Sequence, residues 1–383
     1  MLKKVLIFST AYYPFVGGAE VAIKEITNRI GNIEFDLITA KLKKGLPFKE
    51  KIGNVTVYRL GVGVPLIDKL ILPFEGALFA KHLSRRKQYH AFWCIMVTFA
   101  SGAAYIFNIF SNIFYKIKIP IVITLQEGDS EKYLKTKWLG LVGLSWRLAL
   151  RRTSVLTVIS NYLGERAKRL GYKREVKLIP NGVDIEKFNI EILNIERLKI
   201  REELGLKDQD IGLVTTSRLV MKNGVGDVIR TLPNLPSNIK FVIFGEGYLE
   251  ESLKSQVASL KLEKRVIFKG YAAHGDLPKY LKACDIFIRP SLSEGMGNSF
   301  IEAMAAGLPV IATPVGGIVD FLKDGKTGYF CKPANPKSIV EAVNRVINDP
   351  KKNEVIENAH QMVVSKYDWR IIAMQMKQIF DSM

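Results

Sequence analysis

Short apolar runs alternate with helical stretches along the first half of the chain. Several of these runs are apolar throughout, which is typical of parallel strands covered on both faces. A loop containing Pro14 separates the first run from residues 18–30, where apolar side chains recur at helical spacing. The predicted strands are 5–9, 34–39, 55–60, 92–97, 119–125, 156–159 and 176–179. This order predicts a doubly wound α/β domain.

The second half of the chain repeats this alternation. Strands are predicted at 213–217, 240–244, 265–269, 286–289 and 309–312, with helices at 226–232, 249–259, 276–283, 299–306 and 338–348. The polar, charge-dense segment 185–208 is interpreted as the connection between two domains, and a final amphipathic helix begins at Trp369. We therefore expect an α/β protein with two Rossmann-like parallel-sheet domains.

Residues 89–115 contain no Asp, Glu, Lys or Arg, and by length alone they could span a bilayer. Polar residues such as Asn108 and Asn112 interrupt the segment, and the strand at 119–125 follows it. A buried strand followed by a packed helix is therefore the favoured interpretation.

The composition, with 48% hydrophobic and 24% charged residues, is that of a globular protein. The chain has 56 basic and 37 acidic residues, a net charge of +19. Residues 1–184 carry a net charge of +16 and the remaining residues only +3. This asymmetry predicts that the first half faces an anionic partner, either nucleic acid or an acidic membrane surface. The lack of a zinc-finger, RRM-like or basic-zipper pattern disfavours nucleic acid.

Two basic clusters are candidates for a face that docks on an anionic bilayer. The first consists of Lys81, Arg85, Arg86 and Lys87. The second consists of Lys132, Lys135, Lys137, Arg147, Arg151 and Arg152, interleaved with Trp138, Leu139, Leu141, Leu144 and Trp146. Mixed basic and aromatic residues suit an interfacial helix. A solvated helix whose apolar side packs inward explains the second cluster equally well.

Neither a metal nor a dinucleotide cofactor is expected. Three cysteines, far apart and without a CxxC pair, indicate a reducing compartment and argue against disulfides and structural zinc. The four histidines show no metal-ligand spacing. The pair Asp208 and Asp210 matches a D-x-D motif, but it lies in a charged segment before a strand, where a solvated loop is favoured. The G-x-G pairs of the chain lack the third glycine of a dinucleotide site.

Two segments of the second half suit a phosphate-bearing ligand. Arg218 and Lys222 follow the predicted strand 213–217, where a guanidinium and an ammonium could hold a pyrophosphate. A solvated basic turn remains an equal alternative for this pair. The second segment, 290–302, combines a strand end, a glycine-bearing loop and a helix start near Asn298 or Ser299, which together form an anion site.

Two carboxylates flank this helix start. Glu302 falls about one turn inside the helix, and Glu294 lies on the preceding loop. Their charges would repel a bound anion unless they accept hydrogen bonds from hydroxyls, as a sugar and a ribose would donate. A capped surface helix with ordinary acidic residues is the alternative interpretation. In the first half, Gly17 and Gly18 allow the backbone to approach a ligand closely.

Six segments of the chain carry a family resemblance. They are Gly17-Gly18, the run 179–184 (IPNGVD), the run 217–222 (SRLVMK), the pair Glu294 and Glu302 in an E-x7-E spacing, the run 302–317 and the turn 324–328 (DGKTG). Together they resemble the retaining glycosyltransferases of family 4, whose GT-B architecture has two facing Rossmann-like domains. The resemblance covers nearly the whole chain. It implies an acceptor domain at 1–185, a nucleotide-sugar domain at 186–367, and a C-terminal helix, 368–383, that crosses back to the first domain.

The resemblance also implies roles for individual residues, each at its position in this sequence. Arg218 and Lys222 would bind the diphosphate, and Gly17 and Gly18 would close over it. The remaining donor contacts would come from Gly297, Asn298 and Ser299 at the helix start, Glu302 at the ribose, Glu294 at the sugar hydroxyls and Tyr271 near the base. One position departs from the family: Gln126 stands where many relatives have a histidine that contacts the sugar. A neutral amide can still donate or accept a hydrogen bond there, and Glu127 or Asp129 could orient the acceptor.

The implied activity is transfer of a hexose from a UDP- or GDP-linked sugar to a hydroxyl, with retained configuration and without a metal ion. The basic first half adds the expectation of a lipid-linked acceptor or a cell-surface glycan, as in polysaccharide biosynthesis. We expect a cytoplasmic protein, peripheral on the inner face of a membrane. The alternative is a GT-B protein that binds a nucleotide sugar without transferring it.

Overall fold

The computed structural model describes residues 2–97, 99–115, 118–128 and 141–383. The chain forms two compact units. The first contains residues up to Asn181 together with Trp369–Met383, and the second contains Gly182–Asp368. The boundary drawn from the sequence lies between residues 185 and 186.

The described part of the first unit is built on an eight-stranded sheet with the order β3-β4-β2-β1-β5-β6-β7-β8. All neighbouring strands are parallel except the β3–β4 pair. The strands are β1 (Lys3–Phe8), β2 (Ile33–Ala40), β3 (Lys49–Ile52), β4 (Val55–Leu60), β5 (Ala91–Ile95), β6 (Ile121–Leu125), β7 (Val155–Val158) and β8 (Val176–Leu178). The short edge strand β3 was not predicted, since its sequence KEKI contains no apolar run.

The helices of the first unit are α1 (Gly18–Asn28), α2 (Pro65–Ser84), α3 (Phe99–Tyr115), α4 (Leu141–Arg152) and α5 (Asn161–Arg169), and the final helix α15 (Trp369–Asp381) joins them. The charge-free segment 89–115 forms β5 and α3, as predicted. Among the described residues no helix is long and apolar enough to cross a membrane.

The C-terminal helix α15 belongs to the core of the first unit. Its buried side chains, Trp369, Ile372, Met376 and Phe380, join the core beside α1 and the sheet. The Lys3 ammonium also donates hydrogen bonds to the carbonyls of Phe380, at 3.2 Å, and Asp381, at 2.6 Å. The apolar face of α15 thus packs against a sheet whose first strand lies more than 360 residues earlier in the chain.

The second unit has a six-stranded sheet, all parallel, with the order β11-β10-β9-β12-β13-β14. Its strands are β9 (Ile211–Thr216), β10 (Ile239–Phe244), β11 (Val266–Gly270), β12 (Ile286–Arg289), β13 (Val310–Ala312) and β14 (Tyr329–Phe330). Its helices are α6 (Ile185–Phe188), α7 (Asn194–Glu203), α8 (Val225–Thr231), α9 (Glu250–Ser259), α10 (Leu277–Ala283), α11 (Asn298–Ala305), α12 (Ile318–Phe321), α13 (Pro336–Asn348) and α14 (Lys352–Lys366).

The charged segment 185–208, interpreted from the sequence as the connection between domains, forms α6 and α7 of the second unit. Arg201 is buried, and its Nη1 donates to Asp285 at 3.0 Å and to the Ala283 carbonyl at 2.8 Å. Arg197 donates to the same carboxylate at 2.8 Å. Two arginines of α7 therefore attach this segment to the turn before β12.

The three cysteines, Cys94, Cys284 and Cys331, are buried free thiols. Burial raises the pKa of the Cys331 thiol to about 12, which keeps it protonated at neutral pH.

We predict that Ile372→Ala lowers the free energy of unfolding by about 2–5 kcal/mol, because Ile372 is fully buried and the change leaves a cavity. The matched control on the same helix is Met374→Ala. Met374 is 55% exposed, so its loss should change stability by no more than about 0.5 kcal/mol. Urea unfolding followed by tryptophan fluorescence measures both values, and equal effects would contradict the docking of α15.

Candidate active site

The order of strands in the second unit creates a crevice at one sheet edge. From β9 the chain continues through β10 and β11 on one side of the sheet, whereas β12 and β13 lie on the other side. The carboxyl ends of β9 and β12 therefore meet at a topological switch point, where ligands bind in open α/β sheets. The predicted segments 217–222 and 290–302 follow these two strands.

Backbone contacts join the two loops. The amide of Leu292 donates to the carbonyl of Lys222 at 2.7 Å. Gly224 has φ +69° and lies so close to the Pro290 carbonyl that a Cβ would come within 2.2 Å of its oxygen. Only glycine fits this approach, which fixes Lys222 beside the loop that leads to α11.

Arg218 is the second residue after β9, at the carboxyl end of that strand. Its side chain is exposed, and its backbone carbonyl accepts a hydrogen bond from the side-chain NH2 of Asn223 at 2.7 Å. Gly245, with φ +137°, packs against the Ser217 carbonyl just before it. The backbone of Arg218 is thus held in place while its guanidinium stays accessible to solvent.

Helix α11 begins at Asn298, as predicted, but its start is built differently from the expectation. The N-cap is Gly297, in the left-handed region at φ +90°, and no side chain caps the helix. Asn298 is the first helical residue and Ser299 the second. The Ser299 hydroxyl accepts a hydrogen bond from Arg289 at 2.8 Å, so its oxygen is engaged by a side chain of the preceding strand.

Arg289, the last residue of β12, was not among the predicted site residues. Its side chain is buried, with one Nη on Ser299 and the other on the Glu294 carboxylate at 2.6 Å. Burial lowers the pKa of this guanidinium; the charges of Glu294 and Glu302 raise it, and that of Arg218 lowers it further. Arg218, Glu294 and Glu302 therefore lie close enough to Arg289 to share its electrostatic environment.

Glu302, expected at the ribose, is almost fully buried on α11. Its Oε1 lies 2.9 Å from Nε2 of His274, whose ring packs against Phe188. This pairing was not predicted, because His274 and Glu302 are 28 residues apart and share no motif. Tyr271 follows β11 directly and is exposed, at the same sheet edge and two strands from β9.

The three remaining predicted residues belong to the first unit. Gly17 is the N-cap of α1 and Gly18 is its first residue; both are exposed. A Cβ at Gly17 would lie 2.8 Å from a carboxylate oxygen of Glu20.

Gln126 follows β6, and its side-chain oxygen Oε1 accepts a hydrogen bond from the side-chain NH2 of Asn181 at 3.3 Å. This contact assigns the oxygen of Gln126 to Asn181 and leaves its NH2 group as the donor for another partner. Asn181 belongs to the run 179–184, but the sequence did not indicate this contact. Asp129, considered for acceptor orientation, lies outside the described residues.

Glu127 connects two loops of the same sheet edge. Its carboxylate accepts hydrogen bonds from the amides of Val97, at 2.6 Å, and Gln126, at 3.0 Å. Burial raises the pKa of this carboxyl to about 7, against the backbone hydrogen bonds, which lower it. A pKa of about 7 places the titration of Glu127 near neutral pH, next to Gln126 in the chain.

Within the described ranges, no group of three or more His, Cys, Asp or Glu side chains is arranged to hold a metal ion. Asp210 of the D-x-D pair instead accepts from the Lys207 amide, at 2.7 Å, and pairs with Lys240, at 2.8 Å.

The sequence of this chain matches two protein families. The family described as "Glycosyltransferase Family 4" matches residues 16–187, and the family described as "Glycosyl transferases group 1" matches residues 196–362. The two matches leave only short segments of the chain uncovered and follow the two units of the structure.

Many curated proteins match this chain by sequence, among them the following two. The chain is 32% identical over 209 residues to an uncharacterized glycosyltransferase, MJ1607, of Methanocaldococcus jannaschii, covering 54% of each protein. It is 30% identical over 241 residues to the GDP-mannose-dependent alpha-(1-6)-phosphatidylinositol monomannoside mannosyltransferase of Mycolicibacterium smegmatis, covering 58% of this chain and 62% of that protein. The matches thus span less than two thirds of either relative.

A solved structure matches over the full length. Anabaena Alr3699/HepE in complex with UDP and glucose has a TM-score of 0.78 to this chain at 22% identity, with 100% of both chains covered. At that identity the likeness shows the fold. The chain is a family 4-like glycosyltransferase with the GT-B fold, built from two Rossmann-like parallel-sheet domains. The predicted family and fold class are confirmed.

We predict that Glu127 makes the free energy of unfolding fall as pH rises from about 4.5 to about 7. In this interval the folded carboxyl keeps its proton while the unfolded one loses it, so the unfolded state binds fewer protons. The loss is at most ~1.4 kcal/mol per pH unit, and it levels off above pH 7.

The measurement is urea unfolding between pH 4.5 and 8.5 in the unmodified protein and in Glu127→Gln. The variant should lack this component of the slope, whereas Glu165→Gln, at an exposed position, should keep it. Identical slopes in all three proteins would contradict the raised pKa.

Proposed function

We propose that this protein transfers a hexose from a nucleoside diphosphate sugar to an acceptor hydroxyl with retained configuration and without a metal ion. The observation that carries the proposal is the meeting of the loops after β9 and β12. It places the backbone of Lys222 against the loop that leads to α11, with Arg218 exposed at the end of β9. Two cations beside a helix N-terminus suit a diphosphate.

The chemistry follows from the charges of this site. Transfer separates a diphosphate leaving group from a sugar that becomes oxocarbenium-like, so negative charge grows on the phosphate oxygens. Arg218, Lys222 and the amides at the start of α11 would stabilise that charge. Glu294 and Glu302 would accept hydrogen bonds from the hydroxyls of the sugar and the ribose. In the first unit, the NH2 group of Gln126 would be a donor for a hydroxyl.

Both nucleotides remain candidates for the donor. HepE was solved with UDP and glucose, and the mycobacterial relative is GDP-mannose-dependent. Tyr271, exposed at the end of β11, is the proposed contact of the base. Thermal-shift screening with UDP, GDP and their sugars identifies the pair that binds.

For the acceptor we propose a lipid-linked or cell-surface glycan, reached from the cytoplasmic face of an anionic membrane. The supporting observation is an apolar surface on α2. Every fourth side chain from Leu66 to Leu78 is a large apolar residue, and these side chains are exposed by 64% (Leu66), 42% (Leu70), 64% (Phe74) and 70% (Leu78). An apolar groove of about 270 Å³ continues this surface to Phe110 of α3.

The residues of the two basic clusters differ in exposure and in pairing. Arg85 and Arg86, which directly follow α2, are exposed, and Lys81 lines the apolar groove. Lys87 instead pairs with Asp36, at 2.8 Å, and with Glu34. In the second cluster Trp146 is buried, whereas Arg147, Arg151 and Arg152 are exposed. Residues 132–139 of that cluster lie outside the described residues. The docking surface that we propose is therefore the apolar face of α2 and α3 with Arg85 and Arg86.

We predict that Lys222→Ala and Arg218→Ala each lower the turnover number by about 100- to 1,000-fold, because each removes a preorganised donor to the leaving group. Arg230→Ala is the control, since Arg230 is an exposed arginine of α8 that pairs with Asp227. Transfer of radiolabelled sugar from the donor that binds is the assay. An unchanged turnover number in either site variant would overturn the leaving-group role. Binding of the donor without any transfer would support the non-catalytic alternative.

We predict that the protein sediments with vesicles containing phosphatidylglycerol but not with neutral phosphatidylcholine vesicles. Replacing Arg85 and Arg86 by Gln should weaken this binding by roughly 30-fold, at about 1 kcal/mol for each basic residue. Phe74→Ser with Leu78→Ser should weaken it as well, because apolar insertion is lost. The control is Leu193→Ser with Ile195→Ser, which replaces two exposed apolar residues of the second unit. Equal binding to both vesicle types at low salt would refute the docking surface.

A further inference from the structure

Arg289 is a buried cation at the centre of the candidate site. It ends β12, its side chain is only 6% exposed, and its two Nη groups each donate to a different predicted donor-binding residue. One donates to the Ser299 hydroxyl at 2.8 Å and the other to the Glu294 carboxylate at 2.6 Å. The guanidinium of Arg289 thus connects Glu294, the loop residue expected at the sugar, with Ser299, the helix residue expected at the phosphate.

The surroundings leave Arg289 little freedom. Its guanidinium lies over the ring of Phe300, 4.2 Å from the ring centroid. Gly297 makes room for it, because a Cβ at that position would lie 2.6 Å from Nη2. On the opposite side of the loop, Gly316 lies so close to the Glu294 carbonyl that a Cβ would come within 1.8 Å of its oxygen. The two glycines let the loop close tightly around the Arg289–Glu294 pair.

The direction of these hydrogen bonds determines what the two partners can offer a ligand. A guanidinium only donates, so Ser299 must accept with its oxygen and its own O–H proton remains for an acceptor such as a phosphate oxygen. Glu294 accepts from Arg289 and, at 3.0 Å, from the amide of Gly295. Its carboxylate oxygens have further lone pairs, which suit the hydroxyls of a sugar.

Stability alone does not account for this arrangement. The Nε of Arg289 is buried and has no hydrogen-bond partner among the described atoms, and an unpaired buried donor costs free energy. Buried ion pairs are in general poor stabilisers compared with apolar side chains of similar volume. A methionine could fill much of the same space beside Phe300 without this cost.

We propose that Arg289 is a positioning residue, which holds Glu294 as the acceptor for donor-sugar hydroxyls and Ser299 as the donor to the phosphate. This inference rests on the proposed function. The inference goes beyond the proposed function, because it assigns a part in sugar recognition to Arg289, a residue that need not touch the ligand. Because Glu294 is the sugar contact, loss of Arg289 must affect the nucleotide sugar more than the free nucleoside diphosphate.

The test compares Arg289→Met and Arg289→Lys with the unmodified full chain by isothermal titration calorimetry. The ligands are UDP with UDP-glucose or GDP with GDP-mannose, whichever pair the unmodified protein binds. The affinity of Arg289→Met for the nucleotide sugar should fall about 10- to 100-fold more than its affinity for the nucleoside diphosphate, the range for lost charge-assisted hydrogen bonds. Arg289→Lys should restore little, because an ammonium cannot replace the two-pronged geometry.

A double-mutant cycle separates positioning from folding. If Arg289 acts through Glu294, then Arg289→Met combined with Glu294→Gln should bind the nucleotide sugar no more weakly than the weaker single variant. The matched control is Arg201→Met, which removes another buried arginine of the same unit and its bonds to Asp285 and a backbone carbonyl. It should lower the melting temperature and leave the ratio of the two affinities unchanged.

Two results would overturn the inference. Equal losses for the nucleoside diphosphate and its sugar in Arg289→Met, with additive effects in the cycle, would show a structural role only. Failure of the unmodified protein to bind either nucleotide or nucleotide sugar would overturn the proposed function, and the role of Arg289 with it. The first result appears in the variants and the second in the unmodified protein, so they are distinguishable.

Discussion

The close approach of two backbones, Gly224 to the Pro290 carbonyl, is the constraint on which the candidate site depends. It brings the loops after β9 and β12 into contact where the strand order diverges. A side chain at position 224 would have to move a backbone carbonyl, which is more difficult than a change of rotamer. The backbone of Lys222 is thereby held against the loop that leads to α11.

The balance of charge in this site explains why buried ions are tolerated there. Arg289 is compensated by Glu294, while Glu302 contributes a second carboxylate that is itself joined to His274. The result is a buried guanidinium with its hydrogen-bonded partners, and the exposed Arg218 is near enough to influence the charge of Arg289. An incoming anion would therefore meet a cation at the surface and a fixed hydrogen-bonding network below it.

Much of the fold could be predicted from hydrophobic pattern, because fully buried parallel strands need continuous apolar runs. The ends of β12 agree with prediction, and β10 differs by one residue at its start. Elements without such a pattern were missed. Helix α2 is apolar on most of its circumference and contains Pro73, so it has no distinct amphipathic face. Helix α7 is mostly charged, and its buried Arg201 is satisfied by Asp285, more than eighty residues away.

The sequence by itself determined the two parallel-sheet domains, the family and the segments of the site, since these depend on local periodicity and on motifs contiguous in the chain. Only the tertiary structure decided which side chains meet: Arg289 with Glu294 and Ser299, His274 with Glu302, and Asn181 with Gln126. The physical reason is that hydrogen bonds between side chains depend on distances of a few ångströms between elements far apart in sequence. Composition and spacing carry no record of those distances.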